Sequence, residues 1–377
     1  MRIALAHKRL DLRGGTEKDL YRTAEGLRDL GHEVHLFCCE FDVAAPAGVQ
    51  SHQLPVLPLG RTARLVSLAV QGPKEIARFK CDVVVSFGRM LRQDVLRCGG
   101  GSHRGFLQRM ALSGGVRRRL WQQLSPYHRS LLAIEEREFC SDSYKKILAV
   151  SAEVKRDLMD HYAIADERIA VIYNGVDTER FHPAKRDAIG PSVRRRNQIP
   201  LDAPLVLFVG NGFQRKGLDR LLTLWDAQPM KEVFLLVVGD DARLGHYKSW
   251  AERVAPGRIV FAGRRDDVEN YYAAADLVAL PSLQEAFGNV VLEALASGMP
   301  VLVSATAGAA EILAGRLKKG AVARSEDSDE LAKALTDLLS SGSDASLRRE
   351  ARQLAEEYSW PKHFVKVDAL LKEVAVH

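Results

Sequence analysis

Apolar residues in this chain fall in short unbroken runs, separated by stretches whose apolar positions recur at helical spacing. RIALAH (2–7), VHLFCC (34–39), CDVVVSFG (81–88), KKILAVS (145–151) and RIAVIYNGVD (168–177) read as strands, and near-continuous apolar character is what a parallel sheet covered on both faces requires. Between the first two, TEKDLYRTAEGLRDLGH puts Leu20, Ala24 and Leu27 on one helical face and stops at Gly31. Further helices are expected over roughly 130–141 and 152–162. The second half repeats the plan with PLVLFVG (204–210), VFLLVVGDD (233–241), RIVFAG (258–263) and LVALP (277–281). Helices are expected there at about 289–297, 328–340, 345–357 and 360–374. The chain is therefore α/β, with two β/α halves and no readable internal repeat. Residues 182–203 hold Pro183, Pro191, Pro200 and the run Arg194-Arg195-Arg196. They read as a linker between domains over 1–181 and 204–359, with the triple arginine on a solvated helix face.

Composition changes this picture in a few places. A length of 377 residues with 46% hydrophobic content suffices for two cores. Cysteines 38, 39, 81, 98 and 140 show no metal-binding spacing, so reduced thiols in a cytosolic protein are expected. Arg2, His7 and Lys8 interrupt the first apolar run, which reads as a strand rather than a signal peptide. No apolar run approaches the length that spans a bilayer.

The net charge of +6 is unevenly placed. From Val95 to Ile134 there are arginines at 97, 104, 109, 117, 118, 119 and 129 and no acid, which leaves the remainder close to neutral. Phe106, Leu107, Met110, Leu112, Leu120, Trp121, Leu124 and Tyr127 are interleaved with them. That mixture suits an anionic membrane surface over 104–129. A solvated helix or a phosphate-binding acceptor wall are the other readings. Nucleic acid fits poorly, for want of a binding module and of stacking aromatics.

The richest candidate chemistry lies in PSLQEAFGNVVLEALASGMP (281–300). Gly288 and Asn289 suit a helix start and Gly298 before Pro300 suits its stop. A helix start presents backbone N–H groups and a positive dipole end to a phosphate. Glu285 then falls in the loop before the helix and Glu293 one turn inside it. Eight helical residues rise about 12 Å, whereas hydrolytic carboxylate pairs sit roughly 5–9.5 Å apart, so the spacing leans towards a sugar-nucleotide site and away from a glycosidase. Arg215-Lys216-Gly217 leads into another helix, where two cations suit a departing diphosphate. It is no P-loop, because Leu218 and Asp219 follow the glycine. Gly14-Gly15 after the first strand is a turn that lets a ligand approach backbone, without the G-x-G-x-x-G of a dinucleotide site. His103 follows the glycine run 99–101 at what would be a sheet edge.

Taken together, P-S-x-x-E-A-F-G-x-x-x-x-E-A-x-A-x-G-x-P-V (281–301), the Arg215-Lys216-Gly217 element, I-x-N-G-V-D (172–177) and Y-x-A-A-D (272–276) resemble the retaining glycosyltransferases of family 4. D-V-x-R-x-G-x-G-x-H (94–103) is similar to bacterial lipopolysaccharide core glucosyltransferases. The resemblance implies the GT-B fold, two Rossmann-like β/α/β domains facing a central cleft, with the C-terminal helix 360–377 packing back on the first. It implies a nucleotide-sugar donor, UDP-linked and carrying glucose, and a lipid-linked glycan acceptor. The donor would be held by Gly14, Gly15, Arg215, Lys216, Gly263, Glu285, Ala286, Phe287, Gly288, Asn289, Val290 and Glu293, with Glu285 on the sugar hydroxyls and Glu293 on the ribose. Arg215, Lys216, Glu285 and His103 are the catalytic candidates, Asp19 and His103 the acceptor-side ones. Asn211 stands where family members usually carry an arginine. No metal or other cofactor is expected, and retention is expected to proceed by same-face attack. The enzyme would work in the cytoplasm, peripheral on the inner membrane. A non-catalytic sugar-nucleotide or glycolipid-binding protein on this scaffold, and a UDP-sugar epimerase, are the alternatives.

Overall fold

Aliphatic runs too short for helices and too apolar for solvent leave the chain one solution, strands covered on both faces by helices. The computed structural model describes residues 1–12, 14–57, 59–112, 125–226, 230–313, 317, 321–322, 327–341 and 344–376. They form two units, Met1–Asn174 with Pro361–His377, and Gly175–Trp360.

In the first unit, β1 (Arg2–Leu10), β2 (Glu33–Phe41), β3 (Gln50–Gln53), β4 (Val83–Ser86), β5 (Val95–Cys98), β6 (Lys146–Ala149) and β7 (Ile169–Val171) lie in the order β3-β2-β1-β4-β5-β6-β7. All pairings are parallel, with Ile3 opposite Val34 and Leu5 opposite Leu36. Helix Gly15–Asp29 buries Leu20, Ala24 and Leu27 against this sheet. Helix Trp360–Val376 adds Val367, Leu370, Leu371 and Val374 to the same core.

In the second unit, β8 (Leu205–Val209), β9 (Phe234–Val238), β10 (Ile259–Gly263), β11 (Leu277–Leu280), β12 (Val301–Ser304) and β13 (Ala321–Val322) form a parallel sheet in the order β10-β9-β8-β11-β12-β13. Phe208, Phe213, Leu218, Leu221 and Trp225 head its core. Both sheets reverse strand order beside their first strand, at β1/β4 and at β8/β11. Those are the topological switch points at which open α/β sheets take ligands, beyond the carboxyl ends of the strands.

The boundary between the units falls at Asn174/Gly175, earlier than the expected 181. The stretch 182–203 is not a bare linker, because helix Lys185–Arg196 belongs to the second unit and packs on helix Val268–Ala274. Arg194 is accordingly 6% exposed rather than solvated. Its guanidinium donates to the carbonyls of Ala274, Pro200, Leu201 and Ala203 and to the Asp276 carboxylate. Its five donors in one plane satisfy carbonyls that the end of one helix and a chain turn leave over.

The basic stretch after Val95 is also less basic than its composition. Arg97 is 5% exposed inside β5 and donates to Asp19 Oδ2 at 2.8 Å and to Asn174 Oδ1 at 2.9 Å. Arg104 lies 3.6 Å from Glu136 and Arg109 2.9 Å from Asp157. Among the described arginines of this stretch, only Arg129 is exposed with no acid partner among the described residues. Arg117, Arg118, Arg119, Leu120, Trp121 and Leu124 lie outside the described residues. Removing one partner of a buried pair leaves a bare charge in low dielectric. Arg97→Ala should therefore cost about 3–5 kcal/mol, read as urea unfolding of the first unit, and Asp19→Ala added to it should recover part of the loss.

Candidate active site

At the end of β8 the chain turns through Gly210, Asn211 and Gly212 into the short helix Phe213–Lys216, then through Gly217 into helix Leu218–Trp225. Asp241 after β9 accepts from the Phe213 N–H at 2.8 Å, and Asn211 Oδ1 accepts from the Asp240 N–H at 2.9 Å. Asn211 thus ties the β8 and β9 loops together, work that a longer arginine side chain would not do in the same way. Gly217 has φ +87°, and a Cβ there would stand 2.0 Å from the Pro281 carbonyl oxygen. Only glycine lets the β8 loop come so close to the β11 loop.

That approach delivers two cations to one carboxylate. Lys216 Nζ donates to Glu285 Oε2 at 2.9 Å, and Arg215 Nη1 donates to the same oxygen at 3.2 Å and to the Gln284 carbonyl at 3.1 Å. The loop is held from behind, where Gly308 N–H donates to the Glu285 carbonyl at 3.0 Å and Ala309 N–H to that of Phe287 at 2.8 Å. Burial would raise the Glu285 carboxyl, but Lys216 and Arg215 outweigh it and hold the group below its ordinary range. Arg215 is 37% exposed and Lys216 12%, so the pair presents a positive edge at the β8/β11 switch point.

Beside it, helix Asn289–Ala296 begins at Gly288, whose φ of 99° no ordinary side chain adopts comfortably, and no side chain caps this start. Ala286, Asn289 and Val290 are half-buried around the turn. Phe287 is 2% exposed, so its ring is core and only its backbone faces the turn. Glu293, one turn in, accepts from the Tyr272 hydroxyl at 2.6 Å. Tyr272 is buried with its ring edge-on to Phe181 at 5.5 Å, and burial together with Glu293 holds its hydroxyl well above its ordinary range. Tyr272 opens the Y-x-A-A-D block (272–276), and nothing in that pattern assigns its hydroxyl a role. Its signal was an aromatic pair, Tyr271-Tyr272, in a helix preceding a strand. Gly263 closes β10 at the same edge of the sheet with φ +74° and open space on its Cβ side.

The first unit holds the remaining candidates. Gly14 caps helix Gly15–Asp29 and Gly15 opens it, at the β1/β4 switch point, with nothing within 4 Å of a Gly15 Cβ. Asp19 does not face an acceptor. It is 5% exposed and committed to Arg97, because the buried guanidinium needs a counter-charge. His103 opens helix His103–Leu112, its N–H donating to the fully buried Glu135 at 2.7 Å. Its Nε2 is 3.0 Å from His128 Nδ1, the rings stacked at 5.1 Å. Behind it, Arg89 pairs with Glu135 and, at 3.0 Å, with Glu138, whose carboxyl burial pushes up to about 7 against the pull of Arg89. Among the described residues, no group of three His, Cys, Asp or Glu is placed to hold a metal ion.

Residues 13–180 match Glycosyltransferase Family 4 and residues 191–357 match Glycosyl transferases group 1. The chain is a group 1/family 4 glycosyltransferase. The lipopolysaccharide glucosyltransferase WaaG of Escherichia coli (strain K12) is 27% identical to it over 305 residues, 80% of this chain and 79% of WaaG. A crystal structure of WaaG, a glycosyltransferase involved in lipopolysaccharide biosynthesis, matches with a TM-score of 0.81 and 26% identity over 98% of this chain and 99% of that one. The D-inositol 3-phosphate glycosyltransferase of Corynebacterium aurimucosum is 31% identical over 242 residues, 60% of this chain and 57% of that enzyme. HepE of Anabaena, solved in complex with UDP-glucose, shares the fold at a TM-score of 0.72 and 19% identity, over 99% of this chain and all 100% of that one. The glycosyltransferase is thus an α/β enzyme of GT-B type that transfers a sugar. No described helix in it is long and apolar enough to cross a membrane.

Burial pushes His103 down to about 4, with Glu135 pulling upward and His128 adding to the fall. The folded value lies below that of an unfolded histidine, so the unfolded chain binds the proton first as pH drops. Stability from this group is complete above pH about 6.5 and is lost as pH falls towards 4. His103→Gln should flatten that slope, measured by urea unfolding at several pH values between neutrality and 4.

Proposed function

We propose that this glycosyltransferase moves a hexose, glucose on the likeness to WaaG, from a UDP-linked donor to a hydroxyl of a lipopolysaccharide core or other lipid-linked glycan, with retention of configuration. One observation carries the reading: Lys216 and Arg215 converge on Glu285 at the β8/β11 switch point, beside the start of helix Asn289–Ala296. Negative charge grows on the diphosphate as the glycosidic bond breaks. Fixed cations and N–H groups at 287–290 stabilise that charge more in the transition state than in the bound donor. They also supply the positive charge that a divalent ion would otherwise bring, so no metal is needed.

Glu285 is doubly placed in this scheme. It holds the two cations in register and offers its carboxylate to the hydroxyls of the sugar. Glu293, oriented by Tyr272, takes the ribose. Among the described residues no carboxylate stands out as a nucleophile or an inverting base, so acceptor attack on the face the diphosphate leaves accounts for retention. His103, neutral at physiological pH, orients the acceptor rather than forming a bond. The acceptor's lipid places the work at the cytoplasmic face of the inner membrane.

Lys216→Ala should lower kcat about 10²–10³-fold with a smaller change in donor KM, as removal of one oxyanion stabiliser does elsewhere. Tyr272→Phe should instead raise donor KM about tenfold at nearly unchanged kcat, since a ribose contact acts equally in ground and transition states. Steady-state kinetics with UDP-glucose and a lipopolysaccharide core acceptor in detergent, with inositol 3-phosphate as the competing acceptor, read both. Near-wild-type turnover of Lys216→Ala would remove the leaving-group assignment. The anomeric coupling constant of fresh product, read by NMR, should match that of the donor, and the opposite anomer would show inversion.

A further inference from the structure

Helix Pro126–Phe139 meets His103 twice. Ser125 caps its start, accepting from the His128 N–H at 3.5 Å. His128 and Glu135 are seven residues apart on it, two turns along one face and about 10 Å along the axis. Glu135, fully buried, takes the main-chain N–H groups of His103 and Arg104 at 2.7 and 3.1 Å. His128 takes the ring. Its Nδ1 lies 3.0 Å from His103 Nε2, and the two ring planes are within 19° of each other. The Phe106 ring, its centre 5.8 Å from that of His103, lies alongside. One helix face thus fixes both the main chain and the side chain of a single residue. The other ring nitrogen, His103 Nδ1, makes no hydrogen bond to any described residue and is not enclosed by them. It stands open just beyond the carboxyl end of β5.

Between two neutral imidazoles the shared hydrogen bond holds one proton, so the tautomer of one ring sets that of the other. Neutrality is secured on both sides. Each histidine lies in the first turn of a helix, His103 in His103–Leu112 and His128 in Pro126–Phe139, where the dipole opposes an added positive charge. Burial lowers both rings. Glu135 pulls His103 upward while His128 and Arg89 push it down, and Arg61, held over the Tyr127 ring at 4.5 Å, pushes His128 down. The same first turns select the tautomer. Nδ1 is the ring nitrogen nearer its own main chain, and the unpaired N–H groups of a helix start favour a lone pair there over another N–H. We propose that His128 is a positioning residue that takes the Nε2–H of His103 and leaves His103 Nδ1 bare, to accept a hydrogen bond from a hydroxyl of the glycan acceptor. The opposite tautomer would put an N–H on that atom and suit a phosphate or carboxylate instead. The inference rests on the reading of His103 as an acceptor-side residue.

Two measurements on the full chain test it. In protein carrying nitrogen-15 histidine, two-bond couplings between ring nitrogens and carbon-bound protons report each tautomer, and His103→Gln identifies the His103 signals. At neutral pH His103 should be the Nε2–H form, and His128→Phe should turn it into a mixture of both forms. Kinetics then compare His128→Phe with His128→Asn, whose amide oxygen can accept where Nδ1 does. With a detergent-solubilised lipopolysaccharide core acceptor, His128→Phe should raise acceptor KM about tenfold, the loss of one hydrogen bond. Donor KM and the slow hydrolysis of UDP-glucose should stay as they are, and His128→Asn should recover most of the acceptor KM. Unfolding midpoints check that both variants fold. A residue that merely packs would leave His128→Asn no better than His128→Phe, and that result overturns the proposal. So does an Nδ1–H tautomer of His103 in the natural protein, which would point to an anionic group on the acceptor. The couplings do not depend on transfer. If the natural protein glycosylates no core acceptor, the acceptor assignment fails and the tautomer still decides the role of His128.

Discussion

A carboxylate with two cations on one of its oxygens is an unusual investment, and the second unit is arranged to make it. Lys216 and Glu285 are 69 residues apart in sequence and meet at 2.9 Å. For that, β8 and β11 must be neighbours in the sheet although β9 and β10 intervene in the chain. Gly217 must let one loop touch the carbonyl of Pro281, and the turn at 285–288 must be braced by Gly308 and Ala309. Each condition is a backbone condition. The side chains that meet are flexible, but the loops carrying them are not free to drift, which is what a site built to stabilise a developing charge requires.

The first unit handles charge differently, by burying it. Arg97 with Asp19, and Arg89 with Glu135 and Glu138, lie inside a fold that owes its stability to aliphatic packing. Such pairs add little net stability over apolar residues, yet they fix position. Glu135 receives the backbone N–H groups of His103 and Arg104 and the Tyr162 hydroxyl, so the start of that helix is anchored on a buried anion at the place where its dipole favours one.

The parts legible in the sequence were those governed by local pattern. Aliphatic runs gave β1, β2, β4, β6, β8, β9, β10 and β11, and Gly288 with Asn289 gave the start of the helix behind Glu285. The parts that escaped depend on distant partners. β3 is QSHQ, polar because it is an edge strand, and β5 is a bare VLRC whose arginine looks like surface until Asp19 arrives from another helix. The same failure of locality made Arg97, Arg104 and Arg109 look like basic surface and Arg194 look solvated, since their acids and carbonyls lie elsewhere in sequence. Tyr272 was invisible for a related reason. Nothing near it in the chain says that its hydroxyl will meet Glu293.

The contribution of helix Trp360–Val376 to the first core sets the order in which the protein can be made. Val367, Leu370, Leu371 and Val374 share one core with Ile3, Leu5 and Leu27, so the sheet face that helix Gly15–Asp29 begins to cover is completed only after Trp360–Val376 has been made. The second unit lies wholly within Gly175–Trp360 and has all its strands before then. Domains usually mature in the direction of synthesis. Here the unit begun before the other is completed after it, and the part of its apolar sheet face that helix Gly15–Asp29 leaves open is the surface a chaperone would meet on the nascent chain.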